Sequence, residues 1–265
     1  MATYNTHYTV LTYNINGYEV VHPIKEKSDR ARYIMVTDDP NLEDPTGSWE
    51  IVVDDKLTGT TFDKCYQIRF DPWRYTDDFI VLRVDGSVGI ERNLDPIIDK
   101  FIDGGYDRSL MHHPTRQTMY DEYLAWVQTR QYPVEDTNMV LGFLHNCEGY
   151  NVREFKGMAQ MCYEIETKTR INEDLNRLTY AYLKYLGNQS DGIHRIDQTI
   201  FSYLAQKYFT TMAIMWVDQR LFNGKFFTWY KHGSNEAYQP IQPQQLCEPY
   251  WLNKKCHNAL RPQDL

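Results

Sequence analysis

The amino-terminal part of the chain alternates short apolar runs with polar or amphipathic stretches. Runs rich in Val, Ile and Tyr and closed by polar residues predict strands at 8–15 (YTVLTYNI), 32–39 (RYIMVTDD), 49–55 (WEIVVDD), 79–86 (FIVLRVDG) and 108–113 (RSLMHH). Between them, 62–70 (FDKCYQIRF) reads as a short helix closed by Asp71-Pro72. A better-marked helix covers 94–105, with Asp95 as cap, Pro96 in the first turn and Gly104-Gly105 at its end. Thr118, three residues before Asp121, opens a helix over 118–131 with a capping-box pattern. Helical patterns follow at 152–166, 172–187 and 195–208, then apolar segments at 210–217 and 225–232. Strands alternating with helices predict an α/β fold, a sheet with crossover helices and a helical second half. No Pro-, Gly- or Ser-rich linker divides the chain, so one domain over 1–265 is expected. A first half covers about 1–115 and a second about 116–238, and 239–265 is expected to form an irregular tail.

Several of these strands end on polar residues. Ligands of open parallel sheets collect beyond the carboxyl ends of the strands, so Asn14, Asp38, Asp39, Asp85 and His112 or His113 are expected on one rim. Asp85 poses the sharpest question, because it follows a run that belongs in a core. A buried charge without compensation costs several kcal/mol, so it requires a cation, hydrogen-bond donors or water. Arg83 lies two residues earlier and so points to the same side of an extended strand. Two readings stay open. Either Arg83 and Asp85 satisfy one another in the interior, or Asp85 serves as an oxygen ligand to a divalent metal or to sugar hydroxyls. In the second reading Gly86 permits close backbone approach.

Charge and cysteine usage narrow the class. A net charge of -8 argues against a protein that grips phosphate backbones, so nucleic acid is not the expected partner. Five cysteines without a CxxC pair suit reduced thiols. With no signal-peptide pattern and no apolar run near the roughly 20 residues of a membrane span, the expectation is a soluble, cytoplasmic protein. Twenty-one tyrosines supply flat faces with a hydroxyl, suited to stacking on a base or sugar as well as to filling a core.

The stretches KCYQIRFDPWRYTDDFIVLRVDGSVGI, HHPTRQTMYDEY and HRIDQTIFSYLAQKY carry, in order, Lys64, Pro72, Val84-Asp85-Gly86, His113, Arg116, Tyr120, Glu122 and Asp197-Gln198. This series resembles the glycosyltransferase-like domain family that includes plant mucilage-related proteins and bacterial members. The likeness runs from about residue 8 to residue 208. It implies a GT-A-like, Rossmann-type, mostly parallel sheet, a nucleotide-diphosphate sugar as donor and a glycan or other hydroxyl-bearing acceptor. It also implies a divalent metal, manganese or magnesium, although such folds carry an Asp-x-Asp motif and this chain has Arg83 in place of the first acid. By the same resemblance Asp85, His113, Glu122 and Asp197 are the catalytic candidates, with Asp197 or Glu122 as base if the reaction inverts the anomeric centre. Tyr13 would stack on a base, Asp38 would accept from the base or ribose, and Lys64, Arg69, Arg83 and Arg116 would face the diphosphate, with Gln198 beside them. His232, in WYKHGSNE, is the candidate second metal ligand with Asp85. Two further readings come from other classes. One is a metal-dependent phosphoester hydrolase using Asp85, His112, His113 and His232; the other is a noncatalytic carbohydrate-binding protein that keeps the fold.

Overall fold

The computed structural model describes residues 6–113, 159–187, 197–222 and 224–238, with scattered positions between 115 and 144. Its strands are β1 (Tyr8–Asn14), β2 (Ala31–Thr37), β3 (Glu50–Val53), β4 (Ile80–Val84), β5 (Val88–Ile90), β6 (Arg108–His112), β7 (Ala159–Thr167), β8 (Ile214–Val217) and β9 (Phe227–Trp229). The longer described helices are α1 (Thr61–Arg69), α2 (Asp95–Asp103), α3 (Arg170–Gly187) and α4 (Asp197–Tyr208). Seven strands form one sheet in the order β3-β2-β1-β4-β7-β6-β8, and β5 pairs with β9 apart from it. Every pairing within the large sheet is parallel except the two made by β7, which runs antiparallel to β4 and to β6. The architecture is the expected α/β one, a Rossmann-type, mostly parallel sheet flanked by helices.

The central strands β1 and β4 lie inside largely because apolar residues occupy both of their faces, as parallel strands covered by helices require. Alternate residues of β1 and β4 serve opposite layers: Val10 and Leu82 pack with Ile97 and Phe101 of α2, whereas Leu11 and Val81 pack with Ile68 of α1. Helix α1 starts where the sequence places it. Thr60 Oγ1 accepts from the Asp63 N–H at 3.2 Å and the Asp63 carboxylate accepts from the Thr60 N–H at 2.8 Å, a capping box that satisfies two otherwise orphaned donors. The Thr118–Asp121 box forms in the same way, at 2.8 and 3.0 Å.

Two expectations are corrected. The sequence pattern predicts a helix over 152–166, yet 159–166 belong to β7, whose nine residues are all buried; 152–158 lie outside the described residues. Glu164 and Glu166 break up the apolar run and disguise the strand, and arginines on the neighbouring strands, with Asn176 of α3 donating to Glu166 at 2.8 Å, make those acids tolerable in the interior. Asp95 does not cap α2, since Leu94 holds that position without a side-chain bond. Its carboxylate accepts instead from the Tyr8 hydroxyl at 2.9 Å and the Ser28 hydroxyl at 2.7 Å.

After β3 the chain returns to place β4 on the other side of β1, so strand order reverses between β1 and β4. Connections leave in opposite directions there and open a crevice at the carboxyl ends of those strands. Among the described residues no helix is long and apolar enough to cross a membrane. Cys65 and Cys162 are free thiols. The expected tail, 239–265, lies outside the described residues.

Candidate active site

A cavity of about 530 Å³ occupies that crevice. The end of β1 and its following turn supply Tyr13, Tyr18 and Glu19, and the turn after β4 supplies Asp85 and Gly86. Helix α1 presents one face, Phe62, Cys65, Tyr66 and Arg69, while Asp197 and Gln198 enter from the first turn of α4. Arg116, Glu122, Met161 and His232 complete the wall with Ile15 and Thr61.

Asp85 is not sealed: its side chain keeps 25% of its exposure. The cation that compensates it is Arg69, whose Nη2 donates to Asp85 Oδ1 at 2.7 Å and to the Met161 carbonyl at 3.2 Å. Tyr13 joins the pair, donating its hydroxyl to the same Asp85 oxygen at 3.0 Å and accepting from Arg69 at 2.9 Å. The other terminal nitrogen of Arg69, Nη1, binds the Asp197 carboxylate. One guanidinium from the last turn of α1 therefore ties together carboxylates 112 positions apart in the chain. Burial pushes the Asp197 carboxyl up, against the pull of Arg69. Two polar atoms beside the cavity, Arg69 Nε and Gln198 Oε1, are buried with no hydrogen-bond partner among the described residues.

Arg116 and Glu122 lie together on the same wall, 2.5 Å apart, with the carboxylate almost covered and the guanidinium 27% exposed. Across the mouth, Glu19 accepts from the Gly233 N–H at 2.9 Å and pairs with His232 Nδ1 at 2.5 Å, clipping the segment after β9 onto the turn after β1. Gly86 is required by packing: a Cβ there would stand 2.6 Å from the Tyr13 carbonyl oxygen, so its close approach is to the backbone of β1.

The expected site residues thus separate into two groups. Tyr13, Arg69, Asp85, Arg116, Glu122, Asp197, Gln198 and His232 converge on the cavity. Arg83, His113, Asp38 and Lys64 are not part of its wall. Arg83 has no exposed surface; it sits opposite Glu164 in the β4–β7 register and is ion-paired to it, with Asp85 Oδ1 at 3.8 Å. A side chain so placed cannot meet a diphosphate. His113 Nδ1 accepts from the backbone N–H groups of Thr115 and Arg116 at 3.3 and 3.1 Å, which holds the turn. Burial first, then the Arg116 charge, brings its pKa down to about 3, so at neutral pH it is uncharged and a poor base. Lys64 and Asp38 neutralise one another at 2.6 Å, and Asp38 also accepts from the Asn16 N–H. Of the rest of the expected rim, Asn14 fastens the turn by exchanging bonds with Glu19, and His112 is buried in a stack on Trp216 at 4.1 Å.

Glu19, Tyr18, Phe62, Cys65 and Tyr66 were not anticipated. The helical spacing of Phe62, Cys65, Tyr66 and Arg69 was legible as one face, but nothing local says that this face meets the site. The donor set does not fit a divalent cation held by the protein. Among the described residues no group of three or more His, Cys, Asp or Glu converges. The two expected ligands are also engaged, Asp85 by Arg69 and Tyr13, His232 by Glu19.

No protein-family model matches the chain, and no curated protein matches it. Among solved structures the apo crystal structure of mouse xyloside xylosyltransferase 1 is similar at 10% identity, covering 81% of this chain and 86% of that one with a TM-score of 0.43.

Proposed function

We propose that the protein is a glycosyltransferase that moves a sugar from a nucleotide-diphosphate donor to an acceptor hydroxyl. The observation that carries this reading is the cavity at the β1/β4 reversal, where Asp85, Arg69 and Asp197 meet. That position is where doubly wound sheets bind nucleotides. In the reaction, the acceptor oxygen bonds to the anomeric carbon while the bond from that carbon to the diphosphate oxygen breaks. The nucleotide diphosphate departs with the electron pair. Arg116 meets the negative charge that develops on the leaving group, a form of stabilisation that counts most in a site partly closed to water. Asp197 takes the acceptor's proton, since a carboxylate whose pKa is raised by burial is a stronger base than an exposed one. Asp85 and Tyr13 fix Arg69, which in turn orients Asp197. The direction of this chemistry is inversion at the anomeric centre.

The hydrolase reading loses support because His112 and His113 are not part of the wall that Asp85 shares. Incubation with UDP-, GDP- and ADP-sugars, following free nucleotide diphosphate, tests the transferase. Release from one donor, lowered about 100-fold in Asp197→Asn, is the expected result. Thermal stabilisation by a nucleotide diphosphate with no release from any donor would instead identify a carbohydrate- or nucleotide-binding protein on this fold.

A further inference from the structure

A second cavity, of about 420 Å³, opens between α1, the 3₁₀ turn Pro72–Arg74 and α3. Tyr66 lines both cavities, so the two adjoin across α1. Its lining combines four aromatic rings with a charged rim. Tyr66 and Phe70 stand one helical turn apart with ring centroids at 5.9 Å, and Trp73 and Tyr180 face the same space. The Trp73 Nε1–H is buried without a hydrogen-bond acceptor among the described residues. Such a donor is costly to leave unmatched.

The rim decides what the cavity suits. Arg74 and Arg177 belong to the lining, but each guanidinium is already met by a carboxylate outside it, Arg74 by Asp54 and Arg177 by Asp174, both near 2.9 Å or closer. Asp71 and Glu173 bring negative charge to the same lining. Each guanidinium thus comes with its own carboxylate partner, and the two acids of the lining balance the charge of its two arginines. An extended apolar ligand would in turn strand those charges. The combination of flat rings and acceptor groups matches a pyranose, which offers an apolar C–H face to a ring and hydroxyls to carboxylates. A volume of this size falls within the range of small-ligand sites.

We infer that this second cavity is a subsite for a neutral sugar residue, part of an extended acceptor glycan whose reacting end lies in the first cavity. The inference rests on the glycosyl-transfer reading for the word acceptor, but its binding step is measurable without turnover. Cellotetraose, xylotetraose, maltotetraose and chitotetraose are titrated to about 10 mM, using tryptophan fluorescence and calorimetry, the range of a weak single-residue contact. At least one binds saturably, about 5- to 10-fold more weakly in Tyr180→Ala and in Trp73→Phe, while UDP, GDP and ADP bind these folded variants as they bind the parent. Circular dichroism establishes that each variant is folded. Absence of binding by all four oligosaccharides, or equal affinity in both variants, overturns the subsite. Oligosaccharide binding that is lost in the variants, with no nucleotide diphosphate release from any donor, keeps the subsite and overturns only the transfer reading.

Discussion

Two clusters of arginines and acids meet on consecutive same-face positions of β4 and its turn, and the difference that matters between them is access to open space. Around Asp85 the charges border a cavity; around Arg83 they do not. The sealed cluster is the larger. Arg83 pairs with Glu164, Arg108 reaches both Glu164 and Glu166, and all four side chains are fully buried across β4, β7 and β6. Asn172 and Asn176 of α3 complete it, accepting from Arg108 at 3.1 and 2.9 Å. Arg83 and Arg69 both donate to the Met161 carbonyl, so that one atom joins the two clusters. The difference teaches that residue type does not make a site. A carboxylate bound by a guanidinium next to open space can exchange partners with a ligand, whereas the same pair without space can only be kept or broken. Replacing a sealed network wholesale by apolar residues can be neutral in stability, so its retention beside the cavity is consistent with holding Met161 and Asp85 in place.

The sharpest break of this comparison is Arg108→Ala, which leaves two carboxylates buried against Arg83 alone. Removing one partner of a buried ion pair costs about 3–5 kcal/mol. Urea unfolding should show a loss of that size, and a change below about 1 kcal/mol would mean that the interior already tolerates the acids uncharged. Asp85→Asn should behave oppositely. Because that carboxylate faces the cavity, stability changes little while donor turnover falls about 100-fold, the size expected when the groups that position a catalytic base are displaced by about 1 Å. Unchanged turnover in the folded variant would remove Asp85 from the site.

A smaller effect distinguishes the two acids of the sealed cluster. Burial pushes Glu166 from 4.5 up to about 7, beyond what Arg108 can offset. Burial also acts to raise Glu164, but Arg108 and Arg83 outweigh it and bring the group below its ordinary range. For Glu166 the native state holds a proton that the unfolded chain releases above pH 4.5. Its contribution is therefore complete below that pH and is lost as pH rises towards about 7. Stability measured from pH 4.5 to 7 should fall more steeply in the parent than in Glu166→Gln. Parallel curves would show that Glu166 titrates normally.

Much of this architecture was legible along the chain. Strand runs at 8–15, 32–39, 49–55, 79–86 and 108–113 all contain observed strands, and the expected capping box at Thr118–Asp121 forms. Strand β7 was not legible, because its acids interrupt the apolar pattern and their partners lie 56 and 81 residues away. For the site, the polar ends of β1 and β4 were readable as a rim, and Asp85 as a residue in need of a cation. Which cation was not. Arg83 is the near neighbour in sequence, but cross-strand register gives it to Glu164, leaving Asp85 to Arg69 at the end of a helix. His113 has a similar history: its position in the motif is clear, and the loss of its basicity follows from burial that no local pattern reports.

By itself, then, the sequence determined most of the amino-terminal strands and helices, the α/β class and the need for charge at the end of β4, since these follow from periodicity, capping and the cost of an uncompensated carboxylate. Only the tertiary structure decided which charges meet and which of them touch a cavity. Pairing over more than a hundred residues is set by strand order and helix placement, and electrostatic attraction acts through space rather than along the chain.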